Sequence, residues 1–244
     1  SATASFVENA AVTNVVYDAS TGASDVDGDT LTYSISGTDA GLFDVDSASG
    51  EITFKVSPNY ETKNSYSLSL TATDSSDATD TQALTVTVTD ANDSPVFSAA
   101  TATGSVAENA ATSTQIFDAN STDEDTGDTL TYTVAGADAG LVNIDSSTGV
   151  VSLKSSANFE TKTSYSFNVL ASDGNSSATQ AVIVSVTNEN EAPTVTSSTA
   201  GTVSENEATS TVIYTAAASD VDASDTITYS VSGTDGSLLN IDTS

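Results

Sequence analysis

An internal repeat of about 98 residues constrains the fold more than any other feature of this sequence. Two short acidic patterns recur at this spacing: the pair Glu-Asn at Glu8, Glu108 and Glu205, and the triplet Asp-x-Asp at Asp25, Asp123 and Asp220. They predict one repeat in residues 1–96, a second in 97–194, and the N-terminal half of a third in 195–244. We expect the third repeat to be completed by further chain or by a neighbouring molecule, since half a sandwich leaves an open edge.

Short segments within each repeat alternate apolar and polar residues, as in 31–35, 51–56, 66–72 and 83–89. This period of two is typical of half-buried β-strands, and no segment sustains the 3.6-residue period of a helix. Roughly seven such strands per repeat predict an all-β chain of tandem Greek-key, immunoglobulin-like β-sandwiches arranged as an elongated rod. The expected core residues of the first repeat are Leu31, Tyr33, Ile35, Ile52, Phe54, Tyr66, Leu68, Leu70, Leu84, Val86 and Val88.

Charge and residue types narrow the function. The chain has 34 acidic and 4 basic residues, a net charge of −30, so it cannot neutralise phosphates and is not expected to bind nucleic acid or an anionic membrane. It has no His and no Cys, which removes the usual zinc and copper ligands. The remaining oxygen ligands suit hard cations such as Ca²⁺. No apolar run approaches the ~18 residues of a membrane span.

The order of the acidic motifs resembles the cadherin superfamily, in particular the cadherin-like repeats of large bacterial surface proteins. The motifs are Glu8, the segment Asn59-Tyr60-Glu61, the linker Asp90-Ala91-Asn92-Asp93-Ser94-Pro95, the triplet Asp123-Glu124-Asp125, and Asp173. The resemblance implies that these acids meet where one repeat joins the next and bind up to three calcium ions. The alternative is that they are solvated turn residues, because Asp and Asn commonly cap turns.

The resemblance yields two sets of candidate metal ligands. The first set is Glu8, Asn59, Glu61, Asp90, Asn92, Asp93, Asp123, Asp125 and Asp173. Its seven carboxylates nearly balance the six charges of three calcium ions. The second set is Glu108, Asn158, Glu160, Asn188, Asn190, Glu191, Asp220 and Asp222. It has only five carboxylates, so we expect weaker binding or fewer ions there.

These features predict an extracellular or cell-surface, calcium-rigidified segment of an adhesin that mediates cell adhesion or acts as a stiff spacer. Two alternatives remain: a structural subunit of a filament, sheath or surface layer, and a carbohydrate-binding module. The expected partners are copies of the same repeat, further modules of a longer chain, and cell-surface or matrix ligands. We do not expect an enzyme, because the chain has no His base, no phosphate-binding glycine loop and no cofactor motif.

Overall fold

The computed structural model describes residues 1–243 and is all-β, as predicted. It contains eighteen strands, three single-turn 3-10 helices and, within the described residues, no α-helix. The chain forms two compact units. Unit 1 comprises residues 1–96, 121–130 and 172–178; unit 2 comprises 97–120, 131–171 and the described residues from 179 onward. Two short segments of the second sequence repeat therefore belong to unit 1.

Unit 1 contains a seven-stranded β-sandwich. Its strands are β1 (Ala2–Val7), β2 (Tyr17–Asp18), β3 (Thr32–Ser36), β4 (Phe43–Val45), β5 (Glu51–Phe54), β6 (Ser65–Thr73) and β7 (Thr79–Thr89). One sheet has the order β1-β7-β6-β3 and the other β2-β5-β4. Strand β1 runs parallel to β7, whereas the remaining neighbours are antiparallel.

The core of unit 1 lies between these two sheets. Nine of the eleven expected core residues are buried, and the other two, Leu31 and Ile35, are half-buried. The prediction missed Phe6 and Phe43, which are also buried. The ring of Phe54 lies 4.3 Å from that of Phe43 and 5.2 Å from that of Phe6, measured between centroids. Aromatic side chains from both sheets therefore interlock at the centre of the sandwich.

The second repeat has seven strands in the same order as those of unit 1 and two additional short strands that pair with each other. Its strands are β8 (Val96–Phe97), β9 (Thr101–Ala107), β10 (Gln115–Asp118), β11 (Ser121–Thr122), β12 (Thr131–Ala135), β13 (Val142–Ile144), β14 (Val150–Leu153), β15 (Ser164–Ser172) and β16 (Ser177–Thr187). In unit 2 one sheet has the order β12-β15-β16-β9 and the other β10-β14-β13. The single-turn 3-10 helices Ala40–Leu42 and Ala139–Leu141 occupy equivalent places before β4 and β13.

The last part of unit 2 contains little regular structure. After β17 (Thr194–Val195), residues 196–243 contribute only β18 (Ala218–Ser219) and the 3-10 turn Gly236–Leu238. Leu239 is 45% exposed, although Val142 at the equivalent place in the second repeat is 1% exposed. Ile213 is likewise 37% exposed, against 4% for Ile116. The apolar side chains of this segment therefore lack the cover that the second repeat gives its own.

In each sandwich, the parallel pairing of the first and last strands brings together the polar residues that directly follow them. In unit 1, Val7 at the end of β1 pairs with Thr89 at the end of β7. Because the two strands run in the same direction, the residues that follow them, Glu8 and Asp90, emerge at the same edge of the sheet. In unit 2, Ala107 of β9 pairs with Thr187 of β16, so Glu108 and Asn188 emerge together in the same way.

Candidate metal centres

Glu8 is a buried carboxylate, with 1% of its surface exposed. Its Oε2 accepts a hydrogen bond from the backbone N–H of Tyr60 (2.7 Å), and its Oε1 accepts one from Ala91 (2.8 Å). These bonds join the end of β1 to the loop between β5 and β6 and to the segment after β7. Each oxygen keeps a free lone pair, because a carboxylate oxygen has about two acceptor sites.

The Glu8 cluster consists of Glu8, Glu61 and Asp90, whose nearest carboxylate oxygens lie within 4.8 Å of one another. Glu61 and Asp90 are exposed overall. Desolvation by neighbouring atoms, and then the negative charge of Glu8, raises the pKa of Glu61. Desolvation and the charges of Asp125 and Glu8 raise the pKa of Asp90. The three carboxylates therefore repel one another, and a cation between them would relieve this repulsion.

The Asp93 cluster consists of Glu61, Asp93 and Glu124, again within 4.8 Å. Asp93 Oδ1 accepts a hydrogen bond from the Asn9 side chain (2.9 Å), while Asp93 Oδ2 is shielded from solvent and has no hydrogen-bond partner. Burial raises the pKa of Asp93, and the charge of Glu8 adds to the effect. A buried carboxylate oxygen without a donor is costly unless something else neutralises it.

The Asp123 cluster consists of Asp123, Asp125 and Asp128. Asp123 Oδ2 is also shielded from solvent and has no hydrogen-bond partner. Asp125 Oδ2 accepts a hydrogen bond from the backbone N–H of Asp93 (2.7 Å). This bond links the Asp123 cluster to the Asp93 cluster. Desolvation by neighbouring atoms and the charges of Asp125, Asp123 and Asp173 raise the pKa of the exposed Asp128.

Asp173 lies beside the Asp123 cluster in a dense hydrogen-bond network. The hydroxyl and backbone N–H of Ser176 both donate to it (each 2.6 Å), and the Asn92 amide donates at 3.0 Å. The hydroxyl of Ser176 contributes most to lowering the pKa of Asp173. Asn92 in turn accepts a hydrogen bond from the Asn175 side chain (2.6 Å). Asp173 therefore stays ionised well below neutral pH.

Unit 2 also has a buried glutamate, at the position equivalent to Glu8. Glu108 is 2% exposed and accepts the backbone N–H groups of Phe159 (2.9 Å) and Glu189 (2.8 Å). These bonds, that from Glu189 first, lower the pKa of Glu108. The Glu108 cluster consists of Glu108, Glu160 and Glu191, and Glu191 Oε2 is shielded from solvent without a partner. Burial raises the pKa of Glu191.

Asp222 occupies the place in unit 2 that Asp125 occupies in unit 1, but it has an additional hydrogen-bond donor. It is 5% exposed and accepts hydrogen bonds from the Glu191 backbone and the Asn188 side chain, each at 2.8 Å. The backbone N–H of Glu191, followed by the Asn188 side chain, lowers the pKa of Asp222. Its backbone N–H donates to Asp220 at 3.1 Å. Asn188 therefore donates to an acid where its counterpart, Asp90, contributes a carboxylate.

The other candidate asparagines hold the loops in shape. Asn59 Oδ1 accepts the backbone N–H of Thr62, and Asn158 Oδ1 accepts that of Thr161, each at 2.7 Å. Asn190 donates its side-chain amide to the backbone oxygen of Glu191 (2.9 Å). Their amide groups serve turns and neighbouring acids in this structure.

Among residues 1–243 the structure brings nine of the twelve predicted acids into four clusters, three in unit 1 and one in unit 2; Asp173, Asp220 and Asp222 lie outside them. Sequence reasoning missed Glu124 and Asp128 as cluster members. It also missed Asn9 and Asn109, which adopt left-handed backbone conformations (φ 56° and 58°) and donate to Asp93 and Glu191. The recurring Glu-Asn pair was the signal that could have revealed these two asparagines.

The clusters suit a hard divalent cation. They offer only oxygen atoms, which are the ligands that calcium prefers at about 2.3–2.6 Å. Two oxygens bound to one such ion lie at most about 5 Å apart, and the 4.8 Å limit within each cluster meets this condition. Within residues 1–243, the three buried side-chain oxygens without hydrogen-bond partners, on Asp93, Asp123 and Glu191, all belong to residues of these clusters. The residues present therefore fit a bound calcium ion.

The Cadherin domain family model matches residues 2–89 and 102–187. The chain is 32% identical to Protocadherin Fat 4 of Mus musculus over 142 residues, which is 56% of this chain and 3% of that protein. It is 30% identical to Protein dachsous of Drosophila melanogaster over 183 residues, which is 66% of this chain and 5% of that protein. The chain therefore spans only a small part of these relatives.

Among solved structures, that of human CDH23 EC21-23 superposes with a TM-score of 0.64. The sequence identity is 24%, with 91% of this chain and 78% of that chain covered, so this likeness shows the fold. The chain belongs to the Cadherin domain family, whose members are extracellular adhesion modules and not enzymes. The predicted superfamily is confirmed; Protocadherin Fat 4 and Protein dachsous are animal proteins, and the bacterial surface-protein assignment stays a prediction. No helix in residues 1–243 has the length and apolar character needed to cross a membrane.

Proposed function

We propose that this chain is a calcium-rigidified extracellular segment that acts in cell adhesion or as a stiff spacer. The observation that carries the proposal is the set of three shielded carboxylate oxygens without hydrogen-bond partners, each within a cluster of three acids. An adhesin of a bacterial surface is one setting that would use such a segment. Whether the segment acts in adhesion or as a spacer, its partners would be further cadherin repeats, of the same chain or of another.

The protein itself has no positive charge to offer these clusters. All four of its basic residues are lysines, and they contact the turns before β4 and β13. Bound calcium would supply the missing positive charge and share its coordination among several segments. The residues that would hold it in unit 1 are the members of the Glu8, Asp93 and Asp123 clusters, together with Asp173.

These residues come from separate parts of the chain, which is why binding would stiffen the segment. Glu8 follows β1, Glu61 lies between β5 and β6, and Asp90 and Asp93 follow β7. Asp123 belongs to the part of the second sequence repeat that lies in unit 1. Without a cation, mutual repulsion loosens these segments. With one, each segment is tied to the others.

Unit 2 is expected to bind fewer ions than unit 1. Among residues 1–243 it has one cluster, whereas unit 1 has three. Asn188 donates an amide hydrogen bond where Asp90 supplies a carboxylate. We therefore propose that the two units differ in calcium stoichiometry and affinity.

A calcium titration with matched salt controls tests the function. Isothermal titration calorimetry counts the ions, and hydrogen exchange follows the backbone N–H groups of Ala91 and Asp93. We expect calcium to slow exchange there and to raise the midpoint of thermal unfolding. Each site would add about 2.7 kcal/mol at a calcium concentration of 100 times its Kd. Magnesium-free sodium chloride of equal ionic strength is the control, because any salt screens a net charge of −30.

Absence of saturable calcium binding would refute the calcium part of the proposal. Beads coated with the chain then separate the two roles. Calcium-dependent aggregation of the beads supports adhesion between copies. Dispersed beads, together with calcium-dependent protection of the linker, support a spacer.

A further inference from the structure

Glu124 is an acid whose position has no carboxylate counterpart elsewhere in the chain. It is the middle residue of the Asp-x-Asp triplet, and the equivalent residues in the first and third repeats are Val26 and Val221. In the structure its carboxylate lies within 4.8 Å of those of Glu61 and Asp93. Glu124 therefore reaches a cluster on which two other segments of unit 1 converge.

The neighbouring Asn59 cannot act as an acid in this cluster. Its side-chain oxygen accepts the backbone N–H of Thr62 (2.7 Å) and so fixes the turn that precedes β6. Its amide nitrogen donates to Glu124 Oε2 at 2.5 Å. The hydrogen atoms of an amide repel a cation, so Asn59 positions the Glu124 carboxylate and leaves the negative charge to it.

Asp93 provides the second, independent observation. One of its oxygens accepts the Asn9 amide, but Oδ2 is shielded from solvent and finds no donor. The oxygen atoms of the Asp93 cluster are close enough for one calcium ion to reach all three, given calcium–oxygen distances of about 2.3–2.6 Å. A cation held by Glu61, Asp93 and Glu124 would satisfy the oxygen that the protein leaves unpaired.

We propose that Glu124 is a calcium ligand particular to unit 1, with its carboxylate positioned by the amide of Asn59. The inference depends on the proposed calcium function. Unit 2 offers the internal contrast, since Asn158 forms the same turn with Thr161. Val221, which is 55% exposed, stands there in place of a carboxylate. In the described part of unit 2, therefore, no acidic cluster contains a carboxylate from the position equivalent to Glu124.

The substitution Glu124→Val tests this directly, because the chain already carries Val at both equivalent positions. Competition titration against a chromophoric calcium chelator gives the number of ions and each affinity. We expect Glu124→Val to lose one ion, or to weaken one site about tenfold or more, and to leave the others unchanged. Glu124→Gln, of almost the same shape, should weaken the same site. Asp80→Asn, at an exposed acid on β7, is the matched control and should change nothing.

The outcomes separate this inference from the function on which it depends. If the unmodified chain binds no calcium, the calcium function fails and the inference fails with it. If the unmodified chain binds calcium and both Glu124 variants bind it with the same stoichiometry and affinities, only the Glu124 assignment is overturned. Far-UV circular dichroism in chelator shows whether each variant is folded. If Glu124→Val is not folded, Glu124→Gln alone decides.

Discussion

Replacing Glu8 with Gln should destabilise the chain by an amount that depends on calcium. Glu8 is 1% exposed, and its two oxygens accept the backbone N–H groups of Tyr60 and Ala91. Gln has the same shape but only one acceptor oxygen, so its NH₂ group must face one of the two backbone N–H groups. The substitution therefore removes one hydrogen bond, removes a charge and leaves a buried donor without an acceptor.

The magnitude follows from these changes. A hydrogen bond to a charged group contributes about 1.5–3 kcal/mol, and an unsatisfied buried donor adds to its loss. In chelator the loss is partly offset, because removing the charge relieves repulsion with Glu61 and Asp90. We therefore expect a net loss of about 1–2 kcal/mol in chelator. With calcium at 100 times its Kd, losing one bound ion adds about 2.7 kcal/mol, for a total of about 4 kcal/mol.

Denaturant unfolding in chelator and in calcium measures both values. The same measurement on Asp80→Asn controls for the removal of one negative charge at an exposed site. The difference between buffers is the decisive quantity, because a purely structural role of Glu8 would give equal losses in both. Equal losses would refute Glu8 as a calcium ligand, and no loss in either buffer would refute the hydrogen-bond argument as well.

Two further predictions concern pH and backbone conformation. In chelator, stability should rise as the pH falls from neutral towards about 4.5: cluster acids such as Glu61 and Asp93 have raised pKa values, so the folded state binds protons more tightly than the unfolded state. With saturating calcium, stability should instead fall as the pH falls, because protons then compete with the ion. Thermal unfolding from pH 7 to 4.5 in both buffers measures the two pH dependences. If stability changed in the same direction in both buffers, this explanation would be wrong. Gly50→Ala should lower the free energy of unfolding by about 1–3 kcal/mol, because Gly50 has φ +77° and an added Cβ would lie 3.0 Å from the Tyr33 side chain. Gly41→Ala is the control and should be nearly neutral, since the space around Gly41 is open. Denaturant unfolding measures both.

The strand pattern could be predicted from the sequence because alternation alone defines half-buried strands. The predicted segment 66–72 lies within β6 (Ser65–Thr73), and 83–89 lies within β7 (Thr79–Thr89). The core residue Phe43 was missed because its strand, β4, has only three residues, too few for alternation to stand out. The parallel pairing of β1 with β7 is a contact between distant parts of the chain, and local periodicity carries no information about it.

The clusters were only partly predictable for a related reason. Motif order identified Glu8, Glu61 and Asp93, and the structure brings all three into clusters. It could not identify Glu124, because residues 124 and 125 form a bend whose side-chain directions no strand or helix period predicts. Its role depends on the approach of Asn59 from a loop 65 residues earlier in the sequence. Such a contact exists only in the folded chain.

The distribution of the four lysines connects the fold to the proposed function. Lys63 pairs with the buried Asp39, and its ammonium group lies 4.9 Å from the centre of the Tyr66 ring. Lys162 pairs with Asp138 in the same way, and its ammonium group lies 5.5 Å from the centre of the Tyr165 ring.

Lys55 and Lys154 donate to the backbone oxygens of Gly41 and Gly140, in the same turns. Every positive side chain thus stabilises the turn before β4 or β13. A protein whose acids needed internal partners would place at least one lysine among them. This distribution leaves the lysines away from the acidic clusters and so supports the proposal that a cation from solution, calcium in particular, would balance their charge.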